Sequence, residues 1–175
     1  MIIGIGGVSN AGKTTLAIKL KESLPTLKVS ILCQDDFPKP EEQIPKVRNH
    51  VNWEIPQSLD LKRYLRQVLE DAKSHDLVIA EGLFAFCDER IVQHYDKKIF
   101  LTISKDTFWQ RKSRDYRWGT EPEWYMQHIW DSHFKCGSEN AVDRDTLILS
   151  GEKPIDLNEL IPELEIEKHF AHLIS

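Results

Sequence analysis

Residues 6–15 read GGVSNAGKTT, and this stretch determines which fold the chain can adopt. The pattern G-x-x-x-x-G-K-[ST] is satisfied by Gly7, Gly12, Lys13 and Thr14, between an apolar run and a helical pattern. Glycines let the backbone turn so that successive N–H groups point inward, and a helix N-terminus adds positive partial charge. The stretch therefore predicts a loop that binds the phosphates of a nucleotide.

Most of this loop is expected to surround the nucleotide. The expected lining residues are Gly7, Val8, Ser9, Asn10, Ala11, Gly12, Lys13, Thr14 and Thr15. Lys13 is expected to reach the β- and γ-phosphates, and Thr14 to offer its hydroxyl to Mg²⁺. A glycine turn beside a solvated lysine is the simpler alternative. A dinucleotide fingerprint that starts at Gly4 is excluded, because its sixth position is Ser9 rather than Gly or Ala.

Short apolar runs alternate along the chain with helical patterns. The predicted strands are Ile2–Gly6, Val29–Cys33, Leu77–Ala80, Ile99–Ile103 and Thr146–Leu149. The spacing of apolar residues predicts helices over 13–24 and 61–72. Strands that are rich in Ile, Val and Leu and separated by helices are typical of a parallel sheet covered on both faces. We therefore expect an α/β fold with a five-stranded parallel sheet flanked by helices.

Composition limits the classes of protein to consider. The 175 residues fit a single domain over 1–175, and 41% hydrophobic residues are enough to form a sizeable core. The formal net charge of −5 argues against nucleic acid as a partner, because that surface needs clustered Lys and Arg. Three cysteines without a C-x-x-C pair favour reduced thiols in a cytosolic or nuclear compartment. We expect no membrane attachment, because no long apolar stretch or basic leader is present.

A phosphate loop by itself leaves the GTPases, the ATPase motors and the small-molecule kinases open. The chain contains neither N-K-x-D nor D-x-x-G, which a GTPase should carry. A motor or DNA-linked ATPase would normally be longer and more basic. A kinase needs an acceptor pocket, a carboxylate that takes a hydroxyl proton, and cations over the transferring phosphoryl group. The kinases are therefore the favoured class, and an ATP-binding regulatory switch is the non-enzyme alternative.

Acidic residues follow two of the predicted strands. The letters QDDF place Asp35 and Asp36 after the second strand, and Glu81 comes directly after the third. The carboxyl ends of parallel strands open onto the ligand crevice, so these acids are expected near the γ-phosphate. We assign Asp35 as the general base, Asp36 to acceptor binding and Glu81 to Mg²⁺ coordination through water. The alternative is that all three are solvated acids at strand ends.

The segment of about 111–122 is expected to act as a lid. Arg111, Arg114 and Arg117 recur every three residues, which predicts one helical stripe that folds over the triphosphate. The planar guanidinium of arginine binds phosphate oxygens in pairs and stays charged at any working pH. Arg111 and Arg114 are therefore expected to bind ATP, with Arg111 taking part in catalysis. A solvated charged face is the simpler alternative.

The proline-rich segment 38–56 is expected to bind the acceptor. It contains Trp53 followed by Glu54, and Tyr116 in the lid is a second aromatic outside the strand pattern. Aromatic rings can stack on a flat base, and an acid can accept hydrogen bonds from vicinal hydroxyls of a ribose. The pattern indicates a nucleoside acceptor. Hydrophobic anchoring of a loop is the alternative for both aromatic residues.

Several stretches together resemble a known family. They are IIGIGGVSNAGKTTLAIKL, QDDFPKPE, WE, VIAEGLFAF, FLTI and LILSG, in this order from about residue 2 to 164. They resemble the nicotinamide riboside kinases within the uridine kinase and phosphoribulokinase-like group. The resemblance implies a P-loop kinase fold and the ATP- and Mg²⁺-dependent phosphorylation of the 5′-hydroxyl of nicotinamide riboside, which gives nicotinamide mononucleotide. A uridine or cytidine kinase is the runner-up.

The resemblance also implies roles for single residues. Asp35 matches the catalytic base of the family. Trp53 and Glu54 match the pair that stacks on the nicotinamide and holds the ribose hydroxyls, although the family usually has Tyr-Asp there. The other implied contacts are Arg111 or Arg114 with the substrate, Tyr116 over the ring, and Ser150 and Gly151 beside the adenine.

Overall fold

The computed structural model describes residues 1–117, 119–136 and 142–171. The strands are β1 (Ile2–Gly7), β2 (Val29–Cys33), β3 (Lys46–Val47), β4 (His50–Val51), β5 (Leu77–Glu81), β6 (Lys97–Thr102) and β7 (Thr146–Ser150). The helices are α1 (Lys13–Glu22), α2 (Leu61–Asp71), α3 (Glu89–Val92), α4 (Lys105–Lys112), α5 (Glu123–Cys136), α6 (Leu157–Glu163) and α7 (Ile166–His169). One parallel sheet has the order β2-β5-β1-β6-β7. The predicted α/β fold with five parallel strands is confirmed.

The sheet is buried on both faces, as its apolar strands predict. Ile3 and Ile5 of β1 belong to a cluster with Leu20 of α1. The alternate residue Ile2 belongs to a second cluster, which contains Tyr64 of α2. Successive side chains of a strand point to opposite faces, so helices cover the sheet from both sides. The sheet is therefore the centre of the hydrophobic core.

Three strands end close together at one edge of the sheet. The register places Ile5 opposite Glu81, Cys33 opposite Glu81, and Gly7 opposite Leu101. All of these pairs are parallel, so the loops after β1, β2 and β5 leave the sheet at the same edge. The residues of these loops are therefore brought together by the sheet.

The segment 38–56 contains local structure that the sequence analysis did not predict. It includes a 3₁₀ turn at Glu41–Gln43 and the antiparallel pair β3–β4. The ring of His50 in β4 lies 5.0 Å from the ring of Trp124 and 5.6 Å from that of Tyr125, measured between centroids. This aromatic contact holds the segment against α5.

Two helices differ from the predicted lengths or surroundings. α1 ends at Glu22 rather than at residue 24, because Pro25 restricts the chain just beyond its end. α2 buries Tyr64 completely beside the expected apolar residues. Within the described parts of the chain, no helix combines the length and the apolar character needed to cross a membrane.

Candidate functional site

The loop between β1 and α1 turns sharply at two glycines. Gly7 and Gly12 have φ angles of 129° and 98°, a region that glycine adopts far more readily than other residues. A Cβ atom on Gly7 would overlap the main chain of Leu101 in β6. α1 begins at Lys13, so the free N–H groups of its first turn border this loop. This is the backbone arrangement that phosphate binding requires.

The side chain of Lys13 lies across the loop. Its Nζ donates hydrogen bonds to the carbonyl oxygens of Gly7 (3.2 Å) and Val8 (3.0 Å). Burial lowers the pKa of Lys13, and the carboxylates of Glu81 and Asp35 oppose this effect. The ammonium group is therefore within electrostatic range of the acids at the ends of β2 and β5.

Thr14 and Glu81 form a direct contact beside the lysine. Thr14 Oγ1 donates a hydrogen bond to Glu81 Oε1 at 2.7 Å, and Glu81 is only 1% exposed. Hydroxyl and carboxylate oxygens are ligands that Mg²⁺ accepts, so this pair fits the ion. The described residues contain no group of three or more His, Cys, Asp or Glu side chains that could hold a metal. Mg²⁺ at this pair would need further oxygen ligands, such as phosphate groups or water.

Asp35 and Asp36 lie in a short 3₁₀ turn directly after β2. Gln34 anchors this turn, because it is fully buried and its Oε1 accepts a main-chain hydrogen bond of 3.0 Å from the loop after β5. Both aspartates are exposed. The charge of Asp35 acts on Lys13 and on Glu54. The Asp35 carboxylate is therefore within electrostatic range of both the phosphate loop and the segment 38–56.

The main chain around Trp53 is held by Tyr125 of α5. The Tyr125 hydroxyl donates a hydrogen bond to the carbonyl oxygen of Val51 at 3.2 Å and accepts one from the N–H of Trp53 at 3.4 Å. The Ser58 hydroxyl donates to the carbonyl oxygen of Trp53 at 3.0 Å. The Trp53 residue remains 37% exposed. Its main chain is therefore fixed while part of its side chain stays accessible to a ligand.

Glu54 is half-buried as a residue, and one oxygen of its carboxylate is shielded from solvent. Its Oε2 has no hydrogen-bond partner among the described residues. Burial raises the pKa of Glu54 to about 7, with Lys112 opposing the rise and Glu121 and Asp35 adding to it. A buried carboxylate oxygen without a donor can accept a hydrogen bond from a hydroxyl of a ligand.

Arg111 connects the phosphate loop to the turn after β7. Its Nη1 donates to the carbonyl oxygen of Asn10 at 3.0 Å, and its Nη2 donates to that of Gly151 at 2.8 Å. α4 ends one residue later, so Arg114 and Arg117 do not continue a helical stripe from Arg111. The predicted stripe is therefore wrong, and Arg111 binds the phosphate loop through Nη1 and the turn after β7 through Nη2.

A local ion pair forms just beyond the end of α4. Arg117 binds Asp115, with 2.6 Å between Nη2 and Oδ2, and the same Nη2 lies 3.4 Å from Asn10 Oδ1. Residues 115–117 are not helical, whereas the prediction had a helix there. Arg114 and Tyr116 are exposed, and Tyr116 is 70% exposed. These two side chains extend into solvent on this side of the site.

Ser150 and Gly151 lie at the end of β7, next to the phosphate loop. A Cβ atom on Gly151 would overlap the carbonyl oxygen of Ala11. Ser150 is exposed, and its Oγ accepts a hydrogen bond from the N–H of Glu152 at 3.3 Å. The turn after β7 therefore borders the loop with no room for a larger residue at Gly151.

Three side chains near this site were missed by the sequence analysis. They are Lys112, Glu121 and Tyr125. Lys112 lies in the charged segment and Tyr125 in the aromatic run WYMQHIW. Neither pattern indicates which of its side chains faces the segment 38–56, because that contact depends on how α4 and α5 pack.

The fold and the site together define a class of protein. A phosphate loop at the carboxyl edge of a parallel sheet, an acid after the neighbouring strand and an arginine over the loop are the features of a P-loop small-molecule kinase. Residues 66–129 match the Phosphoribulokinase / Uridine kinase family. The chain is 30% identical over 170 residues to nicotinamide riboside kinase 1 of Rattus norvegicus. This alignment covers 87% of this chain and 86% of the relative. The chain belongs to the phosphoribulokinase/uridine kinase family.

Other similar proteins agree with this assignment. Uridine kinase of Deinococcus deserti is 28% identical over 181 residues, covering 86% of this chain and 87% of the relative. The solved structure of shikimate kinase from Acinetobacter baumannii in complex with shikimate has a TM-score of 0.55 at 17% identity, covering 99% of this chain and 95% of that one. The last likeness shows the fold alone. Kinase activity and a P-loop nucleotide site follow from the family.

Proposed function

We propose that this protein transfers the γ-phosphoryl group of ATP to the 5′-hydroxyl of nicotinamide riboside and so forms nicotinamide mononucleotide. The observation that carries this proposal is the position of Asp35 directly after β2, which pairs with β5, whose last residue Glu81 binds Thr14 of the phosphate loop. The charge of Asp35 also acts on Lys13 and on Glu54, which supports a role for the three residues in transfer to a ribose hydroxyl. The similarity to nicotinamide riboside kinase 1 supports the choice of acceptor.

On the donor side, the chain holds the triphosphate. The main-chain amides of residues 7–15 and the ammonium of Lys13 bind the phosphate oxygens, and Lys13 exchanges its carbonyl partners for them. Arg111, bound to the loop backbone, adds positive charge beside the phosphates. Thr14 and Glu81 are the residues that would hold Mg²⁺. When bound, Mg²⁺ would neutralise negative charge on the phosphate oxygens.

On the acceptor side, residues 38–56 and about 111–122 complete a single kinase domain. Asp35 accepts the proton of the 5′-hydroxyl as it attacks. Glu54 accepts hydrogen bonds from the ribose diol through Oε2, which has no donor among the residues that the structure describes. Trp53 stacks on the base. The remaining proposed contacts are Asp36 and Arg114 with the acceptor, Tyr116 over the ring, and Ser150 beside the adenine.

The proposal is tested by measuring ADP release from ATP with and without a panel of nucleosides, followed by chromatography of the product. We expect strong stimulation by nicotinamide riboside and formation of its 5′-phosphate. Lys13→Ala should abolish activity with every acceptor, which excludes a contaminating kinase. Stimulation by no nucleoside would refute the proposal and would favour an ATP-binding switch.

A pyrimidine nucleoside is the second candidate for the acceptor. Two observations favour testing a pyrimidine nucleoside. The chain is similar to uridine kinase of Deinococcus deserti, and it has Trp53-Glu54 instead of Tyr-Asp. A kcat/KM for uridine or cytidine above that for nicotinamide riboside would select this candidate. Uridine is also compared with 2′-deoxyuridine. Equal rates of phosphorylation for these two nucleosides would show that Glu54 does not bind the ribose diol.

A further inference from the structure

Three charged side chains from three segments interact electrostatically on the acceptor side of the site. The Tyr125 hydroxyl of α5 binds the main chain at Trp53, so the segment that contains Glu54 packs against this helix. Lys112 ends α4, Glu121 precedes α5, and Glu54 belongs to the segment 38–56. Lys112 Nζ lies 3.1 Å from Glu121 Oε2, with side-chain exposures of 7% and 18%. An ion pair that is largely withdrawn from water interacts more strongly with neighbouring charges than a surface pair does.

The charges in this group do not balance. Lys112 pairs with Glu121 and also acts electrostatically on Glu54, so within this group one ammonium faces two carboxylates. The buried Oε2 of Glu54 has no hydrogen-bond partner among the described residues. Burying a carboxylate without a partner is costly, so the ionisation of Glu54 depends strongly on the charges beside it.

We propose that Lys112 and Glu121 are positioning residues that control whether Glu54 presents an ionised carboxylate to the acceptor. The inference rests on the proposed role of Glu54 in binding the ribose diol. Lys112 favours the carboxylate and Glu121 opposes it, so the two residues act in opposite directions. An ion pair that only joined the two ends of the segment 113–120 would have no effect on the ionisation of Glu54.

The ionisation of Glu54 bears directly on acceptor binding. A carboxylate accepts hydrogen bonds at both oxygens, whereas a protonated acid places a hydrogen on one of them. Burial raises the pKa of Glu54 to about 7, with Lys112 opposing and Glu121 and Asp35 adding, so both forms are present near neutral pH. The charge of Lys13 also acts on Glu54, and Glu54 in turn acts on Tyr125 of α5. Binding of a diol is therefore expected to strengthen as the pH rises through this range.

The first experiment measures the titration of Glu54 by NMR of protein with ¹³C-labelled glutamate side chains. Loss of one signal in Glu54→Gln assigns it. We expect Lys112→Met to move the midpoint to higher pH and Glu121→Gln to move it to lower pH, each by at least about one pH unit. Lys112→Arg retains the positive charge and should titrate like the wild type. Lys97→Met, which breaks the remote pair with Glu165, is the control and should leave the midpoint unchanged.

The second experiment measures kcat/KM for nicotinamide riboside between pH 5.5 and 8.5. We expect an acidic limb that moves in the same direction as the NMR midpoint in each variant and disappears in Glu54→Gln. If the wild type does not use nicotinamide riboside, the proposed acceptor is wrong, and the profile is recorded with uridine. If Lys112→Met does not fold, the nearly isosteric Glu121→Gln alone decides the result.

Two results would overturn the inference. Midpoints that stay unchanged, or that move in the same direction in Lys112→Met and Glu121→Gln, would show that the pair has only a structural role. Opposite NMR shifts without any shift of the kinetic limb would show that the ionisation of Glu54 has no effect on the acceptor. Opposite shifts in both measurements support the inference.

Discussion

Replacing Glu54 with glutamine should stabilise the folded protein at alkaline pH and much less at acidic pH. Burial raises the pKa of Glu54 from 4.5 to about 7, so the folded protein retains a proton that the unfolded chain releases. The resulting destabilisation is absent below the unfolded pKa of 4.5, grows as the pH rises toward 7, and is complete above it. Glutamine cannot ionise and is nearly the same size.

The magnitude follows from the distance between the two pKa values. Each pH unit between them corresponds to about 1.36 kcal/mol. The ionised carboxylate of Glu54 should therefore cost the wild type roughly 3 kcal/mol at about pH 8.5. We expect the free energy of unfolding of Glu54→Gln to exceed that of the wild type by roughly 3 kcal/mol at about pH 8.5. At about pH 5 the difference should be less than about 1 kcal/mol.

Urea unfolding followed by circular dichroism at several pH values measures this difference. Glu41→Gln, an exposed acid of the same segment, is the matched control and should differ little from the wild type at any pH. The same Glu54→Gln protein should lose kcat/KM with ribonucleosides, because its side chain no longer accepts at both oxygens. A stability difference that is constant between pH 5 and 8.5 would refute the reasoning, since it would show that Glu54 titrates normally in the folded state.

Three further predictions concern the rest of the site. Asp35→Asn should lower kcat by about 100-fold or more with little change in acceptor KM, whereas the exposed control Asp145→Asn should behave as wild type in the same assay. Tyr125→Phe should raise acceptor KM by about fivefold with kcat nearly unchanged, because the hydroxyl that fixes the main chain of Trp53 is lost; an unchanged KM would contradict this. Gly151→Ala should weaken ATP binding and lower the free energy of unfolding by about 1–3 kcal/mol, measured by KM for ATP and urea unfolding, because its Cβ would overlap the phosphate loop.

The positions of the sheet strands along the chain and the phosphate loop could be predicted because their signals are local. Gly7, Gly12 and Lys13 occur at fixed spacing, and their backbone geometry follows from the freedom of glycine at positive φ. The predicted bounds of β2, Val29–Cys33, match those in the structure, because its apolar residues form a short run that only Ser30 interrupts. Asp35 could be placed at the carboxyl edge of the sheet for the same reason, since a residue that follows a parallel strand lies at that edge.

The failed prediction of an arginine stripe shows the limit of such local signals. Arg111, Arg114 and Arg117 have helical spacing, yet α4 ends at Lys112 and Arg117 turns back to Asp115. Periodicity indicates where a helix could form, whereas packing decides where it ends. Helix formation is weak for short segments, so contacts outside the helix determine its last turn.

The sequence by itself determined the individual strands, the phosphate loop and the acids at the strand ends, because each depends on residues that are neighbours along the chain. Only the tertiary structure decided that Lys112 and Glu121 lie beside Glu54 and that Tyr125 fixes the main chain at Trp53. These contacts join segments tens of residues apart, and they depend on the angles at which α4 and α5 pack. Since electrostatic interactions depend on distance and burial, the charge state of Glu54 is a property of the folded protein and not of its sequence neighbours.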